Sequence, residues 1–277
     1  GDVSGNQGGP DYWVVKVDST GNIEWEDNYG GSNVEQGLSH QQTTDGGYIM
    51  AGSSRSDDGD VSGNNGDYDY WIVKLDATGT ILWEDNYGGN TRDFAFSVQQ
   101  TDDGGYIVVG ESESNNGDVS GNNGQKDYWL VRLDASGNIL WENNYGGSSD
   151  DIPHSIQQTD DGGYIVAGSS ESVDGDVSGN NGNSDYWLVK VDSNGNIEWE
   201  DNYGGSSVET PFSVQQTVDG GYIVAGFSQS DDGDVSGNNG DLDYWVVKVD
   251  SSGNIEWEDN YGGSNVEFAV SLQQADD

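Results

Sequence analysis

Cysteine is absent from the 277 residues, so no disulfide constrains the fold and thiols say nothing about the redox compartment. Bases are scarce as well: 8 Lys and Arg stand against 51 Asp and Glu, a formal net charge of −43. Phosphate recognition needs clustered Lys and Arg, so this balance argues against nucleic acid or an anionic membrane surface as partner. No apolar run approaches the roughly 18 residues of a membrane-spanning helix, and no membrane insertion is expected. The chain opens Gly1-Asp2 without Met, signal or transit segment, which reads as a mature fragment or a piece of something longer. Hydrophobic residues make up only 31 %, so apolar positions must be concentrated on strands if a core is to form. Disorder would suit so acidic a composition. The strict register of 10 Trp and 15 Tyr argues against it.

What is present is repetition. Asp-Tyr-Trp begins at Asp11, Asp69, Asp127, Asp185 and Asp243, always 58 residues apart, and GDVSGN begins at Gly1, Gly59, Gly117, Gly175 and Gly233. The whole of 1–277 therefore reads as one repeat domain with copies starting at 1, 59, 117, 175 and 233, the last one truncated.

Each copy predicts four strands: Ser97–Thr101, Tyr106–Gly110, Tyr128–Asp134 and Ile139–Tyr145. The second is the most apolar and is expected to be the most buried. Asp- and Gly-rich turns, Asp102–Gly105 and Ala135–Asn138, join them in two hairpins. Four short strands per copy is the make-up of a propeller blade. The fold expected is thus all-β, a β-propeller of four-stranded antiparallel blades, five in number. A β-solenoid, or part of a longer repeat array, is the alternative. The Gly162–Gly168 strand and the Asp192–Trp199 hairpin resemble kelch and quinoprotein-type blades, and above all the Gly-rich propeller repeats of secreted bacterial proteins. That resemblance implies a fold and an extracellular or cell-surface location, and leaves the role open.

The loop before each Asp-Tyr-Trp carries oxygen ligands at the spacing of a calcium loop: positions 1, 3 and 5, a Gly at 6 and a carboxylate at 12. The candidate ligands are Asp58, Asp60, Ser62, Asn64 and Asp69 in one copy, and Asn116, Asp118, Ser120, Asn122 and Asp127 in the next. Asp174, Asp176, Ser178, Asn180 and Asp185 follow, then Asp232, Asp234, Ser236, Asn238 and Asp243; the first copy keeps Asp2, Ser4 and Asp11. Calcium is the cofactor expected, because hard oxygens suit it and no thiol is available for zinc. The same residues also suit an Asx-rich turn that bonds its own backbone.

No catalytic residues stand out. His40 and His154 fall at different repeat positions, and no serine has a nucleophile-elbow sequence. Glu35, Asp93, Asp151, Glu209 and Glu267 recur as near-equivalent acids just before each first strand, where acid–base chemistry would need two unlike environments. The Trp pairs, such as Trp71 with Trp83, read as packing between blades, and Lys16, Lys74, Arg132, Lys190 and Lys248 as partners of neighbouring acids in exposed pairs.

The copies differ in two places. One is the link before the first strand, where Phe94, Phe96, Ile152, His154, Phe212 and Phe268 are the candidate ligand-binding residues. The other is the loop between second and third strands, with Arg55, Glu113, Glu171 and Gln229 early and Tyr68, Lys126, Ser184 and Leu242 late. Both emerge at one end of a blade, opposite the hairpin turns, as a recognition surface would. The function expected is a non-enzymatic binding propeller with calcium-ordered loops, recognising a glycan or a protein. The alternative is a structural module of a surface array or filament, whose partners are neighbouring copies of itself.

Overall fold

The computed structural model describes residues 5–275, so Asp2 and Ser4 of the first acidic loop lie outside it. Among the described residues there is no helix, and the strands repeat with the sequence. β1 (Tyr12–Val17) and β2 (Ile23–Tyr29) pair antiparallel as a two-stranded sheet. β3 (Glu35–Gln42), β4 (Tyr48–Ser54), β5 (Asp69–Leu75) and β6 (Ile81–Tyr87) then form a four-stranded antiparallel meander. The unit recurs in β7 (Asp93–Gln100), β8 (Tyr106–Ser112), β9 (Asp127–Leu133) and β10 (Ile139–Tyr145). It returns in β11 (Asp151–Gln158), β12 (Tyr164–Ser170), β13 (Asp185–Val191) and β14 (Ile197–Tyr203), and again in β15 (Glu209–Gln216), β16 (Tyr222–Ser228), β17 (Asp243–Val249) and β18 (Ile255–Tyr261). This is the expected propeller-like repeat of four-stranded blades.

The chain divides into two compact units, Gly1–Gly121 with Trp129–Asn143, and Asn122–Tyr128 with Asn144–Asp277. Inside the first, β7 lies against β3, β4 and β5 of the preceding sheet; inside the second, β15 lies likewise against β11, β12 and β13. Alternation explains how each sheet fills both sides. Ile49, Ala51, Tyr70 and Ile72 face Ala95, Val98, Val108 and Trp129 of the next sheet, while Met50, Trp71, Val73 and Leu75 face Tyr12 and Tyr29 of the previous one. Strands buried on both faces read as continuous apolar runs, which is why the second and third strands look so hydrophobic.

Two recurrent locks tie successive sheets. The Tyr70 hydroxyl donates to the Trp129 carbonyl at 3.0 Å with its ring 4.5 Å from the indole, and Tyr186 repeats this on Trp245. On the fourth strand, Trp83 Nε1 donates to the Ala135 carbonyl and the Tyr87 hydroxyl to that of Gly137, both in the next sheet's hairpin turn. The two Trp of a copy thus serve different contacts with neighbouring sheets. Along the first strands, Gln100 N donates to the Gln41 side chain and Gln216 N to that of Gln157.

Three details correct the sequence reading. The first strands begin four residues early, at Asp93 rather than Ser97, so the variable "link" is itself strand, with a bulge between Ala95 and Ser97 that leaves Phe96 out of register. Its equivalents Leu38, His154 and Phe212 occupy the same bulge. The recurrent acids do not precede the first strands: Glu35, Asp93, Asp151 and Glu209 are their buried first residues. Finally, Lys74, Arg132, Lys190 and Lys248 are buried rather than exposed, each held by the Asp of its own first hairpin turn, as in Lys74–Asp45 at 2.9 Å.

Candidate binding face and the acidic loops

In the four copies whose acidic loop is described in full, that loop folds back on the link that enters its own sheet. Asp58 Oδ1 accepts Ser32 N–H at 2.7 Å, Asn116 accepts that of Asn90, Asp174 that of Ser148 and Asp232 that of Ser206. Asp60, Asp118, Asp176 and Asp234 accept the N–H of Gly30, Gly88, Gly146 and Gly204. Ser62, Ser120 and Ser236 donate to Glu84, Glu142 and Glu258, whereas Ser178 meets Glu200 through its backbone N–H. Asn64, Asn180 and Asn238 bridge a strand-end carbonyl and a Gly N–H, and Asn122 accepts Gly124 N–H. Asp69, Asp127, Asp185 and Asp243 accept the N–H four residues upstream at 2.6–2.7 Å.

Each candidate calcium ligand thus takes part in at least one hydrogen bond of the loop, while Oδ1 of Asp69, Asp127, Asp185 and Asp243 accepts none. Among the described residues no three His, Cys, Asp or Glu gather as a metal site. The hydrogen bonds of the loop are those of an Asx-rich turn.

A different carboxylate grouping does form. Asp69 and Asp93 meet across Gly88: a Cβ on that glycine would lie 2.6 Å from Asp69 Oδ1 and 2.7 Å from Asp93 Oδ2, so only hydrogen fits. Gly146 sits likewise between Asp127 and Asp151, and Gly204 between Asp185 and Glu209. Asp93 is well served, by Gly89 N–H and the hydroxyls of Ser112 and Ser114. Asp69 Oδ1 is buried and accepts nothing, as are its counterparts in Asp127, Asp185 and Asp243. Burial pushes the carboxyls of Asp69, Asp127 and Asp185 up to about 7, opposed by one backbone N–H and reinforced by the facing acid. Asp93 and Asp151 are raised by burial too. Nothing in the sequence announced this pairing beyond the invariance of Tyr-Gly-Gly across copies.

The variable residues collect where the first strands begin. Within the second unit the His154 ring stands 5.3 Å from Phe212, Phe212 5.9 Å from Phe227, and Phe227 5.3 Å from Phe268, an aromatic strip across successive copies. Phe268 is 57 % exposed, the others half-buried. Burial lowers the His154 imidazole to about 4, so it is neutral at physiological pH. Phe227, on the second strand, escaped the sequence reading, although Ser53, Glu111, Ser169 and Phe227 vary at that position. Within the first unit, Phe94 packs 4.8 Å from Tyr68, and the Arg55 guanidinium lies 5.0 Å over the Tyr68 ring. Asp67 holds both Arg55, at 2.6 Å, and Arg92, at 3.1 Å. Phe96 and Ile152 are half-buried in β7 and β11.

No protein-family model matches the chain, and no curated protein matches it. Among solved structures it is similar to a protein of unknown function from Bacteroides caccae, with a TM-score of 0.51 and 15 % identity, covering 90 % of this chain and 75 % of that one. A Bombyx mori GH32 β-fructofuranosidase in complex with sucrose matches at a TM-score of 0.36 and 12 % identity, over 81 % of this chain and 50 % of that one. At these identities the first likeness concerns the fold alone.

Proposed function

We propose that this chain is a non-enzymatic, extracellular or cell-surface binding module whose ligand is a protein segment bearing Arg or Lys. Its acidic loops are ordered by their own hydrogen bonds rather than by calcium. The observation that carries the proposal is the set of variable side chains gathered as half-exposed aromatic rings on an invariant scaffold of charge −43. Aromatic faces beside carboxylates attract cations through the ring quadrupole and through charge. The chain furnishes its own example in Arg55, seated over Tyr68 and paired with Asp67.

A fluorescein-labelled nona-arginine peptide tests this at 150 mM and 500 mM salt, against the chain and against a Phe212→Ala/Phe268→Ala variant. Tighter binding by the parent, about tenfold with equal melting temperatures, supports the aromatic face. Equal binding would mean that general charge attraction is the whole effect. A glycan array run in parallel asks the remaining question: glycan binding that needs the same two rings would replace the cationic ligand with a carbohydrate.

A further inference from the structure

Only 8 bases serve the whole chain. Lys74, Arg132, Lys190 and Lys248 are buried against hairpin-turn acids and belong to the scaffold. Arg55 and Arg92 are different. Their side chains are 48 % and 56 % exposed, both lie in the first unit, and both hold the same carboxylate, Asp67. A parallel bridge sets Tyr68 beside Arg92, the Arg55 guanidinium lies over the Tyr68 ring, and Phe94 packs against that ring. Residues two apart on an extended chain share a face, so Arg92 and Phe94 point the same way.

The scaffold does not need this cluster. The same bridge recurs at Ser184↔Val208 and Leu242↔Val266. Two repeats along the chain, however, the positions of Arg55, Asp67, Tyr68, Arg92 and Phe94 hold Glu171, Asn183, Ser184, Val208 and Thr210. Five variable positions thus converge here on side chains that contact one another. What they leave open is a guanidinium fork. Among the described residues the only hydrogen bond of the Arg92 side chain is from Nε to Asp67, at 3.1 Å. That bond fixes the guanidinium plane, and the two terminal nitrogens present parallel N–H groups that match a carboxylate. The facing charges balance, Asp67 and Glu113 against Arg55 and Arg92, with Glu113 acting on Arg92 through space. At 150 mM salt, charges farther off than about 8 Å are largely screened, so a small anion meets this balanced cluster rather than the total of −43.

We propose that Arg92, held by Asp67 beside Tyr68 and Phe94, is a binding site for a carboxylate carried next to an apolar group, as at the carboxyl end of a polypeptide whose last residue is apolar. The fork takes both carboxylate oxygens and Phe94 takes the apolar group. Arg55 shares Asp67, which keeps that acid from neutralising Arg92 outright.

The probe is N-acetyl-phenylalanine, titrated into the intact 277-residue chain at 150 mM salt and followed by the Arg92 Nε–Hε and Phe94 amide resonances. N-acetyl-phenylalaninamide is the uncharged match. The acid is expected to bind about tenfold tighter than the amide. Arg92→Gln abolishes that preference. Glu113→Gln strengthens it several-fold, a gain that no loss of folding would mimic. The acid 3-phenylpropionate, which lacks the peptide group, tells the source: weaker binding than N-acetyl-phenylalanine marks a polypeptide end, equal binding a small organic acid, and both uphold the carboxylate site. Equal binding of acid and amide, no binding of either, or a preference that survives Arg92→Gln overturns the proposal. None of these results bears on the aromatic strip, which belongs to the other unit.

Discussion

At the scale of single residues, the buried carboxylates set the pH response. Asp69, Asp127 and Asp185 are raised from the ordinary 3.8 to about 7, so the folded chain holds protons that the unfolded chain has released. Their contribution is complete below about pH 4 and is lost as pH rises through 7, at most about 4 kcal/mol per site. Asp45, Asp161 and Asp219 in the hairpin turns are held down at about 2, the first and last mainly by a Thr hydroxyl, Asp161 by its Thr, Gly and Lys donors against burial. Their contribution is present above 3.8 and lost as pH falls toward 2, and His154 adds a loss of the same sign between 6.5 and 4. The melting temperature should thus peak near pH 4–5 and fall on both sides. Asp69→Asn removes one titrating member. It should raise the melting temperature at pH 8, by less at pH 5, and leave it nearly unchanged at about pH 3.5; an equal effect at all three would contradict the pairing. The sequence showed both Asp69 and Asp93 as recurrent acids; that they meet across Gly88 depends on how the loop folds over the link, which spacing does not encode.

At the scale of the element, strand identity was legible because the pattern is local: Gly-Gly-Tyr-Ile-Val-Ala-Gly and Asp-Tyr-Trp can bury both faces, and the Asp-Gly turns fix the hairpins. The early start of β7 was not legible, since Asp93 to Phe96 mixes a buried acid, aromatics and a bulge, and lacks clean alternation. Nor could the loops be read beyond their oxygens. A calcium loop and an Asx turn share that spacing, and the donors that separate them, such as Ser32 N–H for Asp58, come from residues 26 positions away. Burial differs between copies of one strand, and stability should follow it. Trp71 is fully buried, so Trp71→Ala should cost about 3–5 kcal/mol in chemical denaturation. Trp13→Ala, at the half-exposed equivalent, should cost less than half as much. Equal costs would mean that β1 is covered as fully as β5.

At the scale of the whole molecule, the charge of −43 dominates. Repulsion reaches farther as screening falls, from about 8 Å at physiological salt to about 30 Å at 0.01 M. Melting temperature should therefore climb with added sodium chloride. At constant ionic strength calcium and magnesium should then act alike if the loops are held by their own N–H donors; a calcium-specific increment in calorimetry would show that the loops coordinate the ion. The variable ends of the first strands are the recognition face proposed for this chain. Amide chemical-shift mapping of the ¹⁵N-labelled chain with nona-arginine at 150 mM salt tests it most directly. Shifts concentrated at Ile152–His154, Thr210–Phe212, Phe227 and Phe268 are predicted; shifts spread evenly over the acidic hairpin turns, such as Asp102–Gly105 and Asp160–Gly163, would contradict it.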